Sequence, residues 1–132
     1  MKPSLIKKVD CIQLYVPDIQ SGIKFYQDKL GHKLKWRTND SAGFQMQESE
    51  SEIVIQTSRK TQETDLLVES VDSALVTLVD AGAEVMVPAF NIQVGRCAVV
   101  LDPWGNRLVI LDLSKGVLLT DSEGKVVDNE KR

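Results

Sequence analysis

The sequence predicts an α+β fold built from two repeated β-α-β-β-β modules. Three observations carry the prediction. A strand-like alternation followed by a capped helical stripe occurs twice, and the two occurrences superpose at a fixed offset. The composition, 42% apolar and 27% charged over 132 residues, is that of a packed globular chain. A chain of this length buries about two-thirds of its unfolded surface and matches the roughly 100–200 residues of one domain, so a single domain over 1–132 is expected.

Module one, about 9–57, opens with Val9 to Val16, where Ile12, Leu14 and Val16 alternate with Cys11, Gln13 and Tyr15. Asp18 follows as a helix N-cap. Ile19, Ile23, Tyr26 and Leu30 recur at helical spacing, and Gly31 supplies the stop. Strands are then expected over Lys33–Arg37, Phe44–Glu48 and Glu52–Thr57, with turn residues at Asn39-Asp40 and Ser49–Ser51 between them.

Module two, about 63–113, repeats that order. Thr64 to Val68 reads as a strand and Ser70 as an N-cap, and Val71, Ala74, Leu75, Leu78 and Val79 form a buried stripe that Gly82 ends. Strands follow around Glu84–Val87, Arg96–Leu101 and Arg107–Leu111, the last entered through the turn Asp102-Pro103-Trp104-Gly105-Asn106. An offset of 52 carries Val16 onto Val68, Asp18 onto Ser70, Ile23 onto Leu75 and Tyr26 onto Leu78. In the tail, 114–132, Val117-Leu118-Leu119 and Val126-Val127 flank Asp121–Gly124 as a candidate hairpin, and the final five polar residues are expected to fray.

Several function classes are disfavoured. The net charge of −3 has the wrong sign for a surface that neutralises phosphates, so no nucleic-acid partner is expected. No apolar run approaches the ~20 residues that span a bilayer, and the opening Met1–Lys8 has no apolar stretch of a secretory signal. Cys11 and Cys97 lack metal-knuckle spacing and read as reduced thiols. A cytoplasmic protein without membrane contact is expected. Nucleophile elbows, Walker loops and dinucleotide fingerprints are missing from the sequence. The one histidine, His32, follows a helix stop and reads as an exposed bystander, while Glu48, Glu50 and Glu52 suit an exposed turn and strand edge.

Leu14-Tyr15-Val16-Pro17-Asp18-Ile19, Phe25-Tyr26, Leu30-Gly31, Ala81-Gly82-Ala83 and Asp102-Pro103-Trp104-Gly105-Asn106 occur in an order and spacing with a counterpart. Over residues 9–113 the chain resembles the glyoxalase/bleomycin-resistance/extradiol dioxygenase (vicinal oxygen chelate) superfamily. The resemblance implies curved mixed sheets around a cleft, with a ligand site on the sheet face away from the helices, and commonly a homodimer. It speaks for a fold more than for a reaction.

In metal-dependent members of that superfamily the ligands come from the first and last strands of each module. Carried over by position, those places hold Cys11, Gln56, Glu63 and Val109, and the internal offset links Cys11 to Glu63. Valine has no lone pair, a glutamine amide is a weak neutral ligand, and a cysteine favours soft ions. No metal and no other cofactor is therefore expected, a divalent ion being the alternative.

Gln13, Tyr15 and Gln56 either line a cavity or cover a contact between two chains. Cys11 is either a lining thiol or a small core group. Trp36 either reaches the cleft mouth or packs at a sheet edge, as Trp104 does in its turn. Glu63 is either a general base or a solvated strand-end charge. The expected ligand-binding set is Cys11, Gln13, Tyr15, Trp36, Gln56, Glu63 and Val109. The resemblance implies a metal-free protein that binds or sequesters a small organic molecule. A glyoxalase-like lyase, an isomerase or a dioxygenase with an altered site is the alternative. An accessory module whose cavity is filled by side chains is a third reading.

Overall fold

The computed structural model describes residues 3–130, which fall into two compact units. One comprises 10–64 and 118–128, and the other 3–9, 65–117 and 129–130. The element order is β1 (Ile6–Tyr15), α1 (Ile19–Ile23), β2 (Lys33–Arg37), β3 (Ser41–Gln45), β4 (Glu52–Gln56), β5 (Glu63–Val68), α2 (Val71–Asp80), β6 (Glu84–Ile92), β7 (Gly95–Leu101) and β8 (Arg107–Leu111), then β9 (Val117–Thr120) and β10 (Val126–Glu130). This is a mixed sheet architecture with few helices, as the sequence predicts.

In the 10–64 unit the strands run β2-β3-β4-β1, antiparallel except for the parallel pair of β4 with β1. Asp18 starts α1 by accepting from the N–H of Ser21 at 2.9 Å and its hydroxyl at 2.8 Å, the N-cap geometry its side chain favours. Ile19 and Ile23 then bury against Ala42, Phe44 and Ile55, with Val16, Tyr26 and Leu34 around them. Phe44 and Ile55 are fully buried, each contributing about 1.5–3 kcal/mol by burial.

The helix does not continue as the stripe predicts. Over Lys24–Lys29 it widens into a π-helix, with the Leu30 N–H donating to the Phe25 carbonyl at 3.1 Å. That i→i+5 step shifts the phase of later side chains. Leu30, expected on the buried stripe, stands half exposed. β3 also begins three residues before its expected start at Phe44, because Ala42 and Gly43 are small and carry no strand signal of their own. His32 is half-buried rather than exposed, its Nδ1 3.2 Å from the Gln45 carbonyl at the entry to β2.

In the 65–117 unit the strands run β5-β8-β7-β6, with β5 parallel to β8. Val71 and Ala74 of α2 bury against Val68, Ala98 and Ile110, and Leu75 and Leu78 flank them. Those four positions complete the apolar stripe, so Val79, expected within it, rolls into solvent. Asp112, just past β8, is buried and ties three segments together. It accepts from the N–H of Val71 at 2.8 Å, of Arg96 at 2.9 Å and of Ser114 at 3.2 Å, and from the Ser114 hydroxyl at 2.7 Å. Burial is the largest influence on its carboxyl and pushes the pKa up. The hydrogen bonds together outweigh it and hold the group below its usual 3.8.

The tail forms the expected hairpin, β9 and β10, around the turn Asp121–Gly124. Strand β10 includes Asp128, Asn129 and Glu130, three of the five residues expected to fray; the Asn129 carboxamide donates to the Lys115 carbonyl at 3.2 Å. The other two lie outside the described residues. The hairpin tip meets β2, where the Arg37 N–H donates to the Gly124 carbonyl at 2.7 Å.

Candidate functional site

The face of the β2-β3-β4-β1 row turned away from α1 carries the candidate residues. Parallel pairing sets Cys11 beside Glu52, Gln13 beside Val54 and Tyr15 beside Gln56, so these six side chains share a face. Ser41 and Gly43 extend it on β3, and Trp36 reaches it from β2. Trp36 lies across Gly43: a Cβ built there would stand 2.1 Å from the indole Nε1. The indole N–H donates to Glu52 Oε1 at 2.8 Å. Glu52, expected at an exposed edge, is instead half-buried by this contact.

Gln56 is only 5% exposed, and its amide grips the turn that follows. Oε1 accepts from the N–H groups of Ser58 and Arg59, each at 2.7 Å, and Nε2 donates to the Arg59 carbonyl at 2.7 Å. The turn thereby fixes the root of Arg59, whose guanidinium Nη2 donates to Gln13 Oε1. The same Nη2 stands 3.7 Å from Glu63 Oε2, with Glu63 only 12% exposed and Arg59 51% exposed at the side chain. Glu63 is thus a shielded, paired carboxylate rather than a solvated strand end. Lys60, next in the loop, places Nζ 5.9 Å from the centre of the Tyr15 ring, a cation–π distance. Gln13, Trp36, Asp40, Ser41, Val54, Gln56, Ser58 and Arg59 line a cavity of about 230 Å³.

Gln13, Trp36 and Gln56 of the expected set meet at this cavity, while Tyr15 and Glu63 approach it through Lys60 and Arg59. Cys11 is buried on the same face beside Glu52. Val109 lies in the other unit, buried among Leu67, Cys97, Val99 and Leu111. Trp104, expected to pack in its turn, is 84% exposed. Asp102 holds that turn without the indole: its carboxylate accepts from the N–H groups of Trp104 at 3.0 Å and Asn106 at 2.8 Å, and its backbone bonds to Asn106 and Gly105.

Arg59 is a cavity-lining side chain that the expected set lacks. Its signal was the i,i+4 spacing to Glu63, which lacks meaning outside a helix until the turn geometry is known.

Comparison with known proteins places the fold. The family model of the Glyoxalase/Bleomycin resistance protein/Dioxygenase superfamily matches residues 8–110. The chain belongs to that superfamily. No protein of curated function matches the sequence. Among solved structures, the superfamily fold is shared with methylmalonyl-CoA epimerase from Mycobacterium tuberculosis, at TM-score 0.70 and 16% identity over 85% of this chain and 91% of that one. It is shared with the Mn(II)-bound glyoxalase from Novosphingobium aromaticivorans at TM-score 0.59 and 16% identity, over 98% of this chain but 42% of that one. The 2,3-dioxygenase LapB from Pseudomonas sp. KL28 gives TM-score 0.62 and 18% identity over 94% of this chain and 47% of that one. At these identities the likeness is one of fold.

Metal-dependent members of the superfamily raise the question of a divalent ion here. The residues at the expected ligand positions do not fit one. Both polar atoms of the Gln56 amide are committed to the 58–59 turn. Glu63 already faces a cation, and Val109 offers no lone pair. Cys11 would supply a soft thiolate from a buried position, unlike the oxygen and nitrogen donors a hard ion selects.

Proposed function

We propose that this superfamily member binds a small organic molecule on the sheet face that carries Gln13, Trp36 and Arg59, without a metal ion. The observation that carries the reading is the Gln56–Arg59 arrangement. The position that would present a metal ligand is used to fix a turn, and the turn delivers a guanidinium between Gln13 and Glu63. A fixed positive charge beside an aromatic wall is a binding site for an organic ligand. Sequestration without turnover needs nothing more.

Elemental analysis of the purified protein, followed by calorimetric titration with nickel, manganese, iron(II) and zinc, tests the reading. The expected result is no stoichiometric metal and no saturable binding. One ion bound tightly per chain, and lost in Glu63→Ala or Gln56→Ala, refutes it.

The alternative is a lyase, isomerase or dioxygenase-like enzyme in which Glu63 serves as general base. The shielding of the Glu63 carboxylate favours it, since a base works best away from bulk water. Turnover that survives Glu63→Ala removes Glu63 from that role. A cytoplasmic homodimer is part of the same proposal; a light-scattering mass of one chain excludes the dimer.

A further inference from the structure

The chemistry of the cavity narrows the ligand. Arg59 is anchored at its backbone by a buried amide, yet its guanidinium is only partly engaged. Nη2 serves Gln13 and faces Glu63, while Nη1 and Nε of this half-exposed side chain make no hydrogen bond among the described residues. The 3.7 Å gap to Glu63 exceeds hydrogen-bond length, so that carboxylate screens the cation without saturating it. Lys60 adds a second positive charge on the same loop, over Tyr15. Two further carboxylates stand nearby, each with a neutral donor of its own: Glu52 accepts the Trp36 indole N–H at 2.8 Å, and Asp40, in the cavity lining, accepts the Thr38 hydroxyl at 3.0 Å. A guanidinium N–H that no protein acceptor takes is a charge-assisted donor for a carboxylate oxygen.

The apolar part of the lining is Trp36 and Val54, beside the polar Gln13, Ser41, Gln56 and Ser58. Trp36 is fixed in plane by its hydrogen bond to Glu52 and its approach to Gly43, and Val54 lies on the same face. The volume of about 230 Å³ falls below the roughly 300–1,000 Å³ of sites for drug-sized ligands. It suits one ring and one acidic group. We infer that the cavity takes a small aromatic carboxylic acid, its carboxylate on the Nη1 end of the Arg59 guanidinium and its ring against Trp36. The inference rests on the metal-free binding reading above and names its ligand class.

Three isosteric probes separate charge from shape: benzoate, neutral benzamide and cationic benzamidine. Each is titrated into full-length protein carrying Trp104→Phe, so that the single indole N–H resonance in a ¹H–¹⁵N spectrum reports Trp36. Benzoate is expected to shift that resonance saturably and to bind at least tenfold more tightly than benzamide, with benzamidine excluded. Arg59→Gln is expected to weaken benzoate at least tenfold, and Arg59→Lys, which keeps the charge but loses the planar guanidinium, by less. Position 59 is gripped through its backbone, so these variants keep the turn. Unchanged dispersion of the amide spectrum verifies that.

Equal binding of benzamide or benzamidine, indifference to Arg59→Gln, or no shift with any probe at millimolar concentration each overturns the carboxylate assignment. The metal titration above is independent of these results. A saturable ion there refutes the metal-free reading itself, whatever the probes do.

Discussion

The indole of Trp36 and the carboxylate of Glu52 meet at 2.8 Å across the backbone of Gly43. The contact joins β2 to β4 over the intervening strand, and it is possible only because position 43 has no side chain. A methyl group there would sit 2.1 Å from the indole nitrogen and 2.8 Å from Glu52 Oε1. Gly43→Ala is therefore expected to displace the ring and break the bond, at a cost of about 1–3 kcal/mol. Urea unfolding measures the loss, and Trp36 fluorescence in a Trp104→Phe background reports the displaced ring.

The Gln56 amide gives a second test that separates turn from metal. Gln56→Glu supplies a carboxylate at a position where metal-dependent relatives hold a ligand. It also turns the Nε2 donor into an oxygen that faces the Arg59 carbonyl, 2.7 Å away in the native turn. The variant is expected to lose about 1–3 kcal/mol of stability and to exchange the Ser58 and Arg59 amide protons faster, with no gain in nickel or manganese affinity. Denaturant unfolding, hydrogen exchange and calorimetry check the three parts.

Acid should find its target at Asp112. Its carboxyl sits below 3.8 in the folded chain, so the unfolded state binds the proton more readily. The stability it contributes is full above that ordinary value and is lost as pH falls through the lower native one. Asp112→Asn keeps one acceptor but places an N–H₂ against backbone donors. It should cost about 1–3 kcal/mol at neutral pH and flatten the decline of unfolding free energy below 3.8. An equally steep decline in the variant would assign the acid sensitivity elsewhere.

Cys11 and Cys97 are both buried thiols. Their reaction with an aromatic disulfide reagent is expected to be slow in the native protein and to follow the opening of the fold, with two thiols titrating at once in denaturant. Prompt reaction of one thiol in the native state, lost in Cys11→Ser, would place Cys11 at an accessible surface of the ligand-lining set.

The strand faces were legible in the sequence because a two-residue period is a local property. Cys11, Gln13 and Tyr15 stand opposite the helix-packing residues as their alternation predicts. The caps at Asp18 and Ser70 were legible for the same reason. Leu30 and Val79 were not, since one depends on a π-helical phase shift and the other on how wide a stripe α2 needs. The largest gap concerned Gln56 and Arg59. A glutamine at a ligand position reads as a lost metal site, and an arginine three residues later reads as a loop charge. Their joint role exists only in the geometry of the turn.

The meeting of the hairpin tip with Arg37 has a consequence for life in a crowded solution. Strand β2 ends its row, and a terminal strand offers unpaired N–H and C=O groups on which another molecule's strand can build. Lys33 and Lys35 charge part of that border, and Gly124 and Lys125 occupy it at Arg37. A chain cut after Leu113 would keep every residue of the candidate cavity and uncover the border. Its first failing would be aggregation, with a tail that contributes no cavity lining acting as the guard against sheet-to-sheet growth.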